Sequence, residues 1–237
     1  MQIQNQICKN CSHQNPLYRS TCENCKSHLR DRVVNLDLWA TIGKIIEEPS
    51  KAFRQIIFSE NKNFIIFFLF FISIKNLIYT RFFSVPFLSN ENIQTSFFVS
   101  LIILITATLI LFSIFTLINQ SVFKRYKVDL RFKDIFSLNI YSFTPILLSL
   151  FTIFPVEIIV LGGDLFSNNP YAFQIKPVIS YFLMGFEFLI LCWTFFLLII
   201  KDFMITNNRL ISFLLSFLFL LINFITLFLI SKFVFII

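Results

Sequence analysis

Charged residues and histidines are scarce in this chain. Only 14% of its 237 residues are Asp, Glu, Lys or Arg, whereas 57% are hydrophobic. Ordinary soluble domains carry about 25% charged residues, so this composition excludes a soluble domain for most of the chain. Both histidines, His13 and His28, lie near the N-terminus. No histidine is therefore left to act as a general base in the apolar part of the chain.

Catalytic motifs are also missing from the sequence. It has no H-E-x-x-H motif, no G-x-S-x-G nucleophile elbow and no phosphate-binding Walker loop. It lacks the glycine-interrupted helices and the repeated halves that are typical of transporters. We therefore predict that the protein is not an enzyme. A signal peptide is not expected either, because a long polar stretch precedes the first apolar run.

Four cysteines near the N-terminus form two C-x-x-C pairs, Cys8 with Cys11 and Cys22 with Cys25. Each pair places two thiolates on one tight turn, and two such turns supply the four tetrahedral sulfurs that Zn²⁺ prefers. Disulfides need an oxidising compartment, and a redox C-x-x-C accompanies a βαβ pattern that is absent here. The spacing predicts a Zn²⁺ ribbon over residues 1–32. The two histidines are alternative ligands, although the four thiolates already complete the set.

Five apolar stretches follow, each long enough to cross about 30 Å of hydrocarbon at about 1.5 Å per residue. They cover residues 64–83, 97–118, 140–161, 178–200 and 210–236. We therefore predict an all-α polytopic membrane protein, with five transmembrane helices in residues 61–237. The third stretch contains Pro145 and Pro155, which are expected to bend its helix.

Residues 33–60 are predicted to form a linker and two short amphipathic helices. Apolar residues recur at helical spacing from Leu38 onward, and Pro49 suits the first turn of a second helix. Such helices lie in the membrane interface, with Trp39 as an anchor, or pack beneath the bundle. The sequence leaves both arrangements open.

Lysine and arginine are distributed unevenly among the predicted loops. With the N-terminus inside, the predicted inner segments hold most of the bases, including Lys62 and Lys201, and the outer side keeps only Arg81, Lys176 and Lys232. The positive-inside rule then predicts an integral membrane protein with a cytosolic ribbon and an external C-terminus, which in a bacterium would lie in the inner or plasma membrane. The basic loop at 124–134 favours contact with anionic lipid, and its pattern does not indicate a nucleic-acid target.

Three ionisable residues lie inside predicted spans: Lys75, Glu157 and Glu187. Counting along the helices puts Lys75 about 12 Å and Glu187 about 14 Å from the outer ends of their spans, but Glu157 only about 6 Å from its own. The matching depths predict a buried pair between Lys75 and Glu187. Alternatively, Lys75 extends outward while Glu187 stays protonated. A functional alternative is a proton or ion path through Glu187 and Glu157.

Two segments resemble the membrane domain of the Yip (Ypt-interacting protein) family in its bacterial form. The sequence EEPSKAFRQIIFSENKNF is similar to the segment that leads into that domain's first span. RFKDIFSLNIYSFTPILLSLFTIFP is similar to the start of its third span. The N-terminal C-x-x-C pattern with Asn15 and Pro16 resembles ribbons fused to bacterial membrane proteins. The resemblance covers residues 38–237 and implies scaffolding or membrane organisation, with no defined chemistry.

These observations predict a non-enzymatic membrane adaptor or organiser with a cytosolic zinc ribbon. Its expected partners are the lipid bilayer and a protein bound through the ribbon, and a homo-oligomer is compatible with the sequence. The alternative function is a small ion- or proton-coupled transporter that uses Glu187 and Glu157.

Overall fold

The structure, a computed structural model, describes residues 6–16, 18–29, 36–84, 96–166 and 172–231, without the side chains at 81–84 and 166. The described residues divide into two compact units. Unit 1 takes residues from 1–66, 112–142 and 196–218, and unit 2 takes residues from 67–111, 143–195 and 219–237. Each unit is described by itself below.

The N-terminal part of unit 1 is a ribbon built on one short hairpin. Strands β1 (Gln6–Ile7) and β2 (Gln14–Asn15) pair antiparallel, and a further bridge joins Thr21 to His28. Cys8, Cys22 and Leu29 form the small buried core of this ribbon. Such a short segment cannot bury a sufficient core by itself, so its fold depends on the clustering of its cysteines.

Two short amphipathic helices follow, as the apolar spacing predicts. Helix α1 covers Leu38–Glu47, and its N-cap residue Asp37 accepts a hydrogen bond from the Ala40 amide at 2.8 Å. Helix α2 covers Pro49–Phe58, with the proline in its first turn. Helix α2 contacts α1 and also contacts helix α5 (Phe132–Tyr141).

The apolar faces of these two helices are divided between protein and surroundings. Ile42 and Ile45 of α1 and Phe53 of α2 are buried, so this face packs inside unit 1. Trp39, in contrast, is 74% exposed, and Ile46 is also exposed. The packing arrangement therefore holds for the buried face, while Trp39 remains available as an interfacial anchor.

The remaining helices are long and apolar. Their bounds are α3 Ile65–Ser84, α4 Phe97–Arg125, α6 Thr144–Leu161, α8 Pro177–Thr206 and α9 Arg209–Ser231, with a 3₁₀ turn at Gly162–Phe166 and a short α7 at Ala172–Ile175. Among the described residues, four helical stretches are long and apolar enough to cross a membrane, namely Phe97–Arg125, Phe132–Leu165, Pro177–Thr206 and Arg209–Ser231. The chain is therefore an all-α polytopic protein, as predicted.

The predicted count of five spans is not confirmed by these helices. The first apolar stretch forms α3, but side chains are described only for its part Ile65–Thr80, so α3 is not counted among the four. A fifth span therefore stays a prediction. The prolines of the third stretch also differ in role, since Pro145 lies in the first turn of α6 and only Pro155 lies inside that helix.

Helix α8 runs six residues past the predicted end of its span at Ile200 and ends at Thr206. Asn207 then takes a left-handed conformation with φ of 53°, which is a common way to end a helix. The Asn208 carboxamide oxygen accepts hydrogen bonds from the amides of Leu210 and Ile211, at 3.0 and 3.2 Å, and so starts α9. The Asn207-Asn208 pair, and not the charges before it, sets the boundary between the helices.

Candidate functional site

The two C-x-x-C turns of the ribbon have equivalent backbone geometry. In the first turn, the Ser12 amide donates to the carbonyl of Cys8 at 2.9 Å. In the second, the Lys26 amide donates to the carbonyl of Cys22 at 3.1 Å. Ser12 and Lys26 both adopt left-handed conformations, with φ of 56° and 60°. Each turn thereby points two sulfur atoms toward the same point.

The four predicted metal ligands converge in one cluster. The sulfur atoms of Cys8, Cys11, Cys22 and Cys25 all lie within 4.8 Å of one another. Two contacts join the turns, Cys8 to Cys25 and Cys11 to Cys22, each with 3.5 Å between sulfur atoms. A tetrahedral zinc site with Zn–S bonds of about 2.3 Å separates its sulfurs by about 3.8 Å. All four cysteines are free thiols, so the cluster fits a metal ion and contains no disulfide.

Neither histidine belongs to this cluster in the part of the chain that the structure describes. His13 is exposed on the first turn. The His28 ring nitrogen Nε2 lies 2.9 Å from a carboxylate oxygen of Glu60, which follows α2. This contact ties the ribbon to the start of the helical part of unit 1.

Ser27 adjusts the charge of two of the thiols. Its hydroxyl lies 3.0 Å from the sulfurs of both Cys8 and Cys25. Hydrogen bonding from Ser27 lowers the pKa of Cys25 to about 6 and also lowers the pKa of Cys8. At Cys11 the backbone hydrogen bond at His13 lowers the pKa, but desolvation and the neighbouring thiols outweigh it and raise the pKa to about 11. A bound cation would replace the remaining protons.

Asn15 connects the two turns of the ribbon. Its fully buried carboxamide accepts a hydrogen bond from the Glu23 amide at 2.9 Å and donates to the carbonyl of His13 at 2.9 Å. The same side-chain nitrogen lies 3.5 Å from the sulfur of Cys22. The asparagine of the Asn15-Pro16 pair therefore holds the second turn in place beside the first.

A second site lies in unit 2, where the three predicted intramembrane ionisable residues meet. Lys75 of α3 donates to Glu187 of α8 at 2.5 Å, so the two predicted partners form a pair. The hydroxyl of Tyr79 donates to the other oxygen of Glu187 at 2.6 Å. Glu157 of α6 joins them, with 3.6 Å between its Oε2 and the Lys75 ammonium. We name these four residues the unit 2 ionic cluster.

The unit 2 ionic cluster holds two carboxyl groups but only one ammonium group. Both oxygens of Glu187 accept hydrogen bonds, one from Lys75 and the other from Tyr79. Glu157 is completely buried, and neither of its oxygens has a hydrogen-bond partner among the described residues. Two ionised carboxylates beside one ammonium would leave an uncompensated charge in the apolar interior. Glu157 is thus placed to hold a proton.

The position of Glu157 differs from the sequence estimate, which put it nearer the outer boundary than Lys75 and Glu187. Counting residues along a helix assumes an upright rod, whereas membrane helices tilt by about 20° on average. Pro155, inside α6, also removes a backbone hydrogen bond just before Glu157. Tyr79 was not predicted as a site residue, although its spacing of four residues from Lys75 places both on one helix face.

Unit 1 contains a contrasting site, the unit 1 polar cluster, which the sequence did not predict. Lys201 of α8 donates to the carboxamide oxygen of Asn139 at 2.6 Å and lies 3.0 Å from Asp202. The Ser216 hydroxyl of α9 donates to Asp202 at 3.2 Å. Asn119 of α4 donates to Asn139 at 3.2 Å. All five side chains are buried, and the cluster has one ammonium and one carboxylate.

Lys62 was also counted among the loop charges, yet it is buried. Its ammonium donates to the carbonyls of Ile57 and Ser59 at the end of α2, at 3.0 and 2.7 Å. It also lies 3.3 Å from the fully buried carboxylate of Asp134 in the first turn of α5. Lys62 therefore joins two helices within unit 1.

Comparison with protein-family models, with curated proteins and with solved structures finds no match to this chain.

Proposed function

We propose that this protein is a non-enzymatic adaptor or organiser of the membrane, with a cytosolic ribbon that binds Zn²⁺ and presents a surface to a protein partner. The convergence of four free cysteine sulfurs in front of membrane-length helices carries the proposal. Four thiolates in tetrahedral array favour zinc or an iron–sulfur centre among biological metals. A site with four protein ligands leaves no open position for substrate, which supports a structural metal over a catalytic one.

The attachment of the ribbon supports an adaptor role. Its contact with the helical part runs through His28 and Glu60, while Ile7 and Tyr18 on the ribbon are exposed. The ribbon thus has an exposed surface for a partner and a defined link to the chain that precedes α3. The resemblance of residues 38–237 to the Yip membrane domain agrees with an organising role, and we extend the proposal to membership of that family.

Metal content and partner binding test this proposal on the full-length chain. Purified protein is expected to contain about one zinc per chain, and Cys22→Ser is expected to lose it. Cys192→Ser is the matched control, since Cys192 is a fifth free cysteine that lies exposed on α8. Crosslinking in native membranes should then capture a protein with the wild type and with Cys192→Ser but not with Cys22→Ser. A capture that is unchanged in Cys22→Ser would contradict the adaptor role of the ribbon.

A second candidate function is proton-coupled transport, and the charge imbalance of the unit 2 ionic cluster favours it. The unit 1 polar cluster is balanced, with one ammonium and one carboxylate, as a purely structural ion pair requires. The unit 2 ionic cluster has one carboxyl group in excess, on Glu157. Intramembrane carboxyl groups of this kind serve as proton relays in pumps and transporters.

Proton flux into liposomes separates the two candidates. The full-length protein would be reconstituted, and internal pH would be followed with a trapped dye after an external pH jump. Transport predicts flux above that of protein-free liposomes, loss of the flux in Glu157→Gln and normal flux in Asp164→Asn, whose partly exposed carboxylate pairs with Lys176 after α6. Flux equal to that of empty liposomes would contradict transport and leave the adaptor proposal standing.

A further inference from the structure

A groove within unit 1 lies between the end of α4 and the first turns of α9. Its volume is about 420 Å³, which falls in the range of small-molecule and cofactor pockets. On the α9 side it is lined by Ile211, Leu214, Leu215 and Leu218. These residues follow one another at the spacing of a single helix face, so they form a continuous apolar wall.

The other side of the groove has a polar end. Arg125, the last residue of α4, and Tyr126, which follows it, both line the groove. Neither side chain has a hydrogen-bond or ion-pair partner among the described residues. Lys124 and Lys127 flank them, so this end of α4 carries a local excess of positive charge.

A second groove of about 340 Å³ extends the first along α4. It shares Val122 and Arg125 with the first groove and continues past Ile118. Arg125 therefore lies where the two grooves meet. Except for Tyr126, the lining residues of both grooves belong to the candidate membrane spans Phe97–Arg125 and Arg209–Ser231. Hydrocarbon chains, and not water, are the expected neighbours of such walls.

We propose that this pair of grooves is a binding site for one phospholipid with an anionic headgroup. The phosphate and the headgroup charge lie against Arg125 and Tyr126, and an acyl chain follows the wall formed by Ile211, Leu214 and Leu218. Arginine suits this position because its planar guanidinium binds two phosphate oxygens at once. Basic pockets between membrane helices bind anionic lipid headgroups by this combination of charge and apolar wall.

The observations favour a lipid over a second copy of the chain. A second copy would have to bring a carboxylate to Arg125 at the depth of the interface. A bilayer, in contrast, supplies an acyl chain and a phosphate already joined at that depth. Loop charges predict that this end of α4 faces the cytosolic leaflet, where anionic lipids attract basic residues. The site is independent of the ribbon and of the unit 2 ionic cluster.

Native mass spectrometry of the full-length protein in detergent tests this inference. Phosphatidylglycerol and phosphatidylcholine with identical acyl chains would be titrated separately, and bound lipid would be counted per chain. We expect one phosphatidylglycerol to bind more tightly than phosphatidylcholine. Arg125→Gln should reduce that preference about fivefold, because one base beside an anionic headgroup contributes about 1 kcal/mol. Lys124→Gln removes the same charge from the adjacent exposed residue outside the grooves and should change it less than about twofold.

Filling the apolar wall provides a second readout. Leu214→Trp should weaken the binding of both lipids, because it occupies the acyl-chain channel without changing charge. Circular dichroism and thermal melting would establish that each variant is folded, which is expected since Arg125, Lys124 and Leu214 are all exposed. Equal effects of Arg125→Gln and Lys124→Gln would overturn the site in favour of diffuse attraction. Equal binding of the two lipids, or a dimer that excludes lipid, would overturn it as well.

Discussion

Single polar side chains organise the cysteine cluster of the ribbon. The Ser27 hydroxyl contacts two cysteine sulfurs, and Asn15 joins the two turns through three polar contacts. Hydrogen bonds to a ligand sulfur stabilise its thiolate form, and residues behind the ligands orient them for metal binding. Retention of the metal should therefore depend on these two residues, although neither is a ligand.

Ser27 should set the pH at which the ribbon loses its metal. Ser27→Ala removes the hydrogen bond that lowers the pKa of Cys25 to about 6, so that pKa should rise toward its ordinary value. Protons compete with the metal for the thiolate, so a higher pKa means that metal is lost at a higher pH as the solution is acidified. Metal content measured across a pH series should show the midpoint of loss shifted upward by about one pH unit.

Ser20→Ala is the control for this change, because Ser20 lies in the same ribbon and its hydroxyl does not contact a cysteine sulfur in the part of the chain that the structure describes. Its midpoint should match that of the wild type. If Ser27→Ala also matches the wild type, the hydroxyl does not stabilise the Cys25 thiolate.

At the scale of helices, two buried clusters join elements that are distant in sequence. The unit 2 ionic cluster links α3, α6 and α8, and the unit 1 polar cluster links α4, α5, α8 and α9. Breaking a buried ion pair by removing one partner is costly, whereas replacing both partners by apolar residues is often neutral. The two clusters should consequently respond differently to substitution, since one has an excess carboxyl group and the other does not.

Lys75→Met should destabilise the protein more than Glu187→Leu does. Without Lys75, two carboxyl groups lose their only ammonium partner, at a cost of about 3–5 kcal/mol. Without Glu187, Glu157 lies close enough to take over the pairing with Lys75, so the loss should be smaller. The double variant should recover most of the loss from Lys75→Met. Thermal stability in detergent measures all three. Additive losses in the double variant would show that Lys75 and Glu187 do not interact.

A parallel substitution tests the unit 1 polar cluster. Lys201→Met removes the ammonium from Asn139 and Asp202, so it should lower stability by about 3–5 kcal/mol. Lys124→Met is the matched control, because Lys124 is exposed and should change stability by less than about 0.5 kcal/mol. Similar melting temperatures for the two variants would place Lys201 in a solvated loop instead.

The helices and the cysteine turns could be predicted from the sequence, whereas most contacts between helices could not. The spacing of apolar residues and the position of Pro49 predict α1 and α2, and the C-x-x-C spacing predicts the cysteine cluster. Lys201 was misassigned to a loop because a charge after an apolar run normally ends a span. Here Asp202 and Asn139 pair with it in the interior, and such pairing depends on tertiary packing that a hydropathy pattern does not contain.

At the scale of the whole molecule, the predicted orientation of the spans depends on the charges of the loops. Lys62 and Lys201 contributed to the predicted inner charge, but both are buried and paired. The loop at 124–127 keeps exposed lysine and arginine side chains, and the ribbon is also basic, so the positive-inside rule still predicts that both lie on the inner side. The positive-inside rule therefore predicts the same orientation as before, but on the basis of fewer charges.

Five spans require the two ends of the chain to lie on opposite sides of the membrane. Cysteines introduced at Lys26, Arg125 and Asn207 should react with an impermeant thiol reagent only after the cells are opened. Cysteines at Asn90, Asn168 and Ile237, which lie outside the described residues, should react in intact cells. Asn207 replaces Lys201 as the reporter between α8 and α9 because Asn207 is exposed, whereas Lys201 is buried.

The decisive comparison in this experiment is between Asn90 and Arg125, which flank α4. Reaction of both in intact cells, or of neither, would mean that α4 does not cross the membrane. If Asn90 reacts in intact cells but Ile237 reacts only in opened cells, the number of spans is even. The other reporters would then identify the helix that does not cross the membrane. Cys192→Ser serves as the background for every variant, since Cys192 is the free cysteine outside the ribbon. Lys26 and Asn90 on the same side would show that α3 does not cross the membrane.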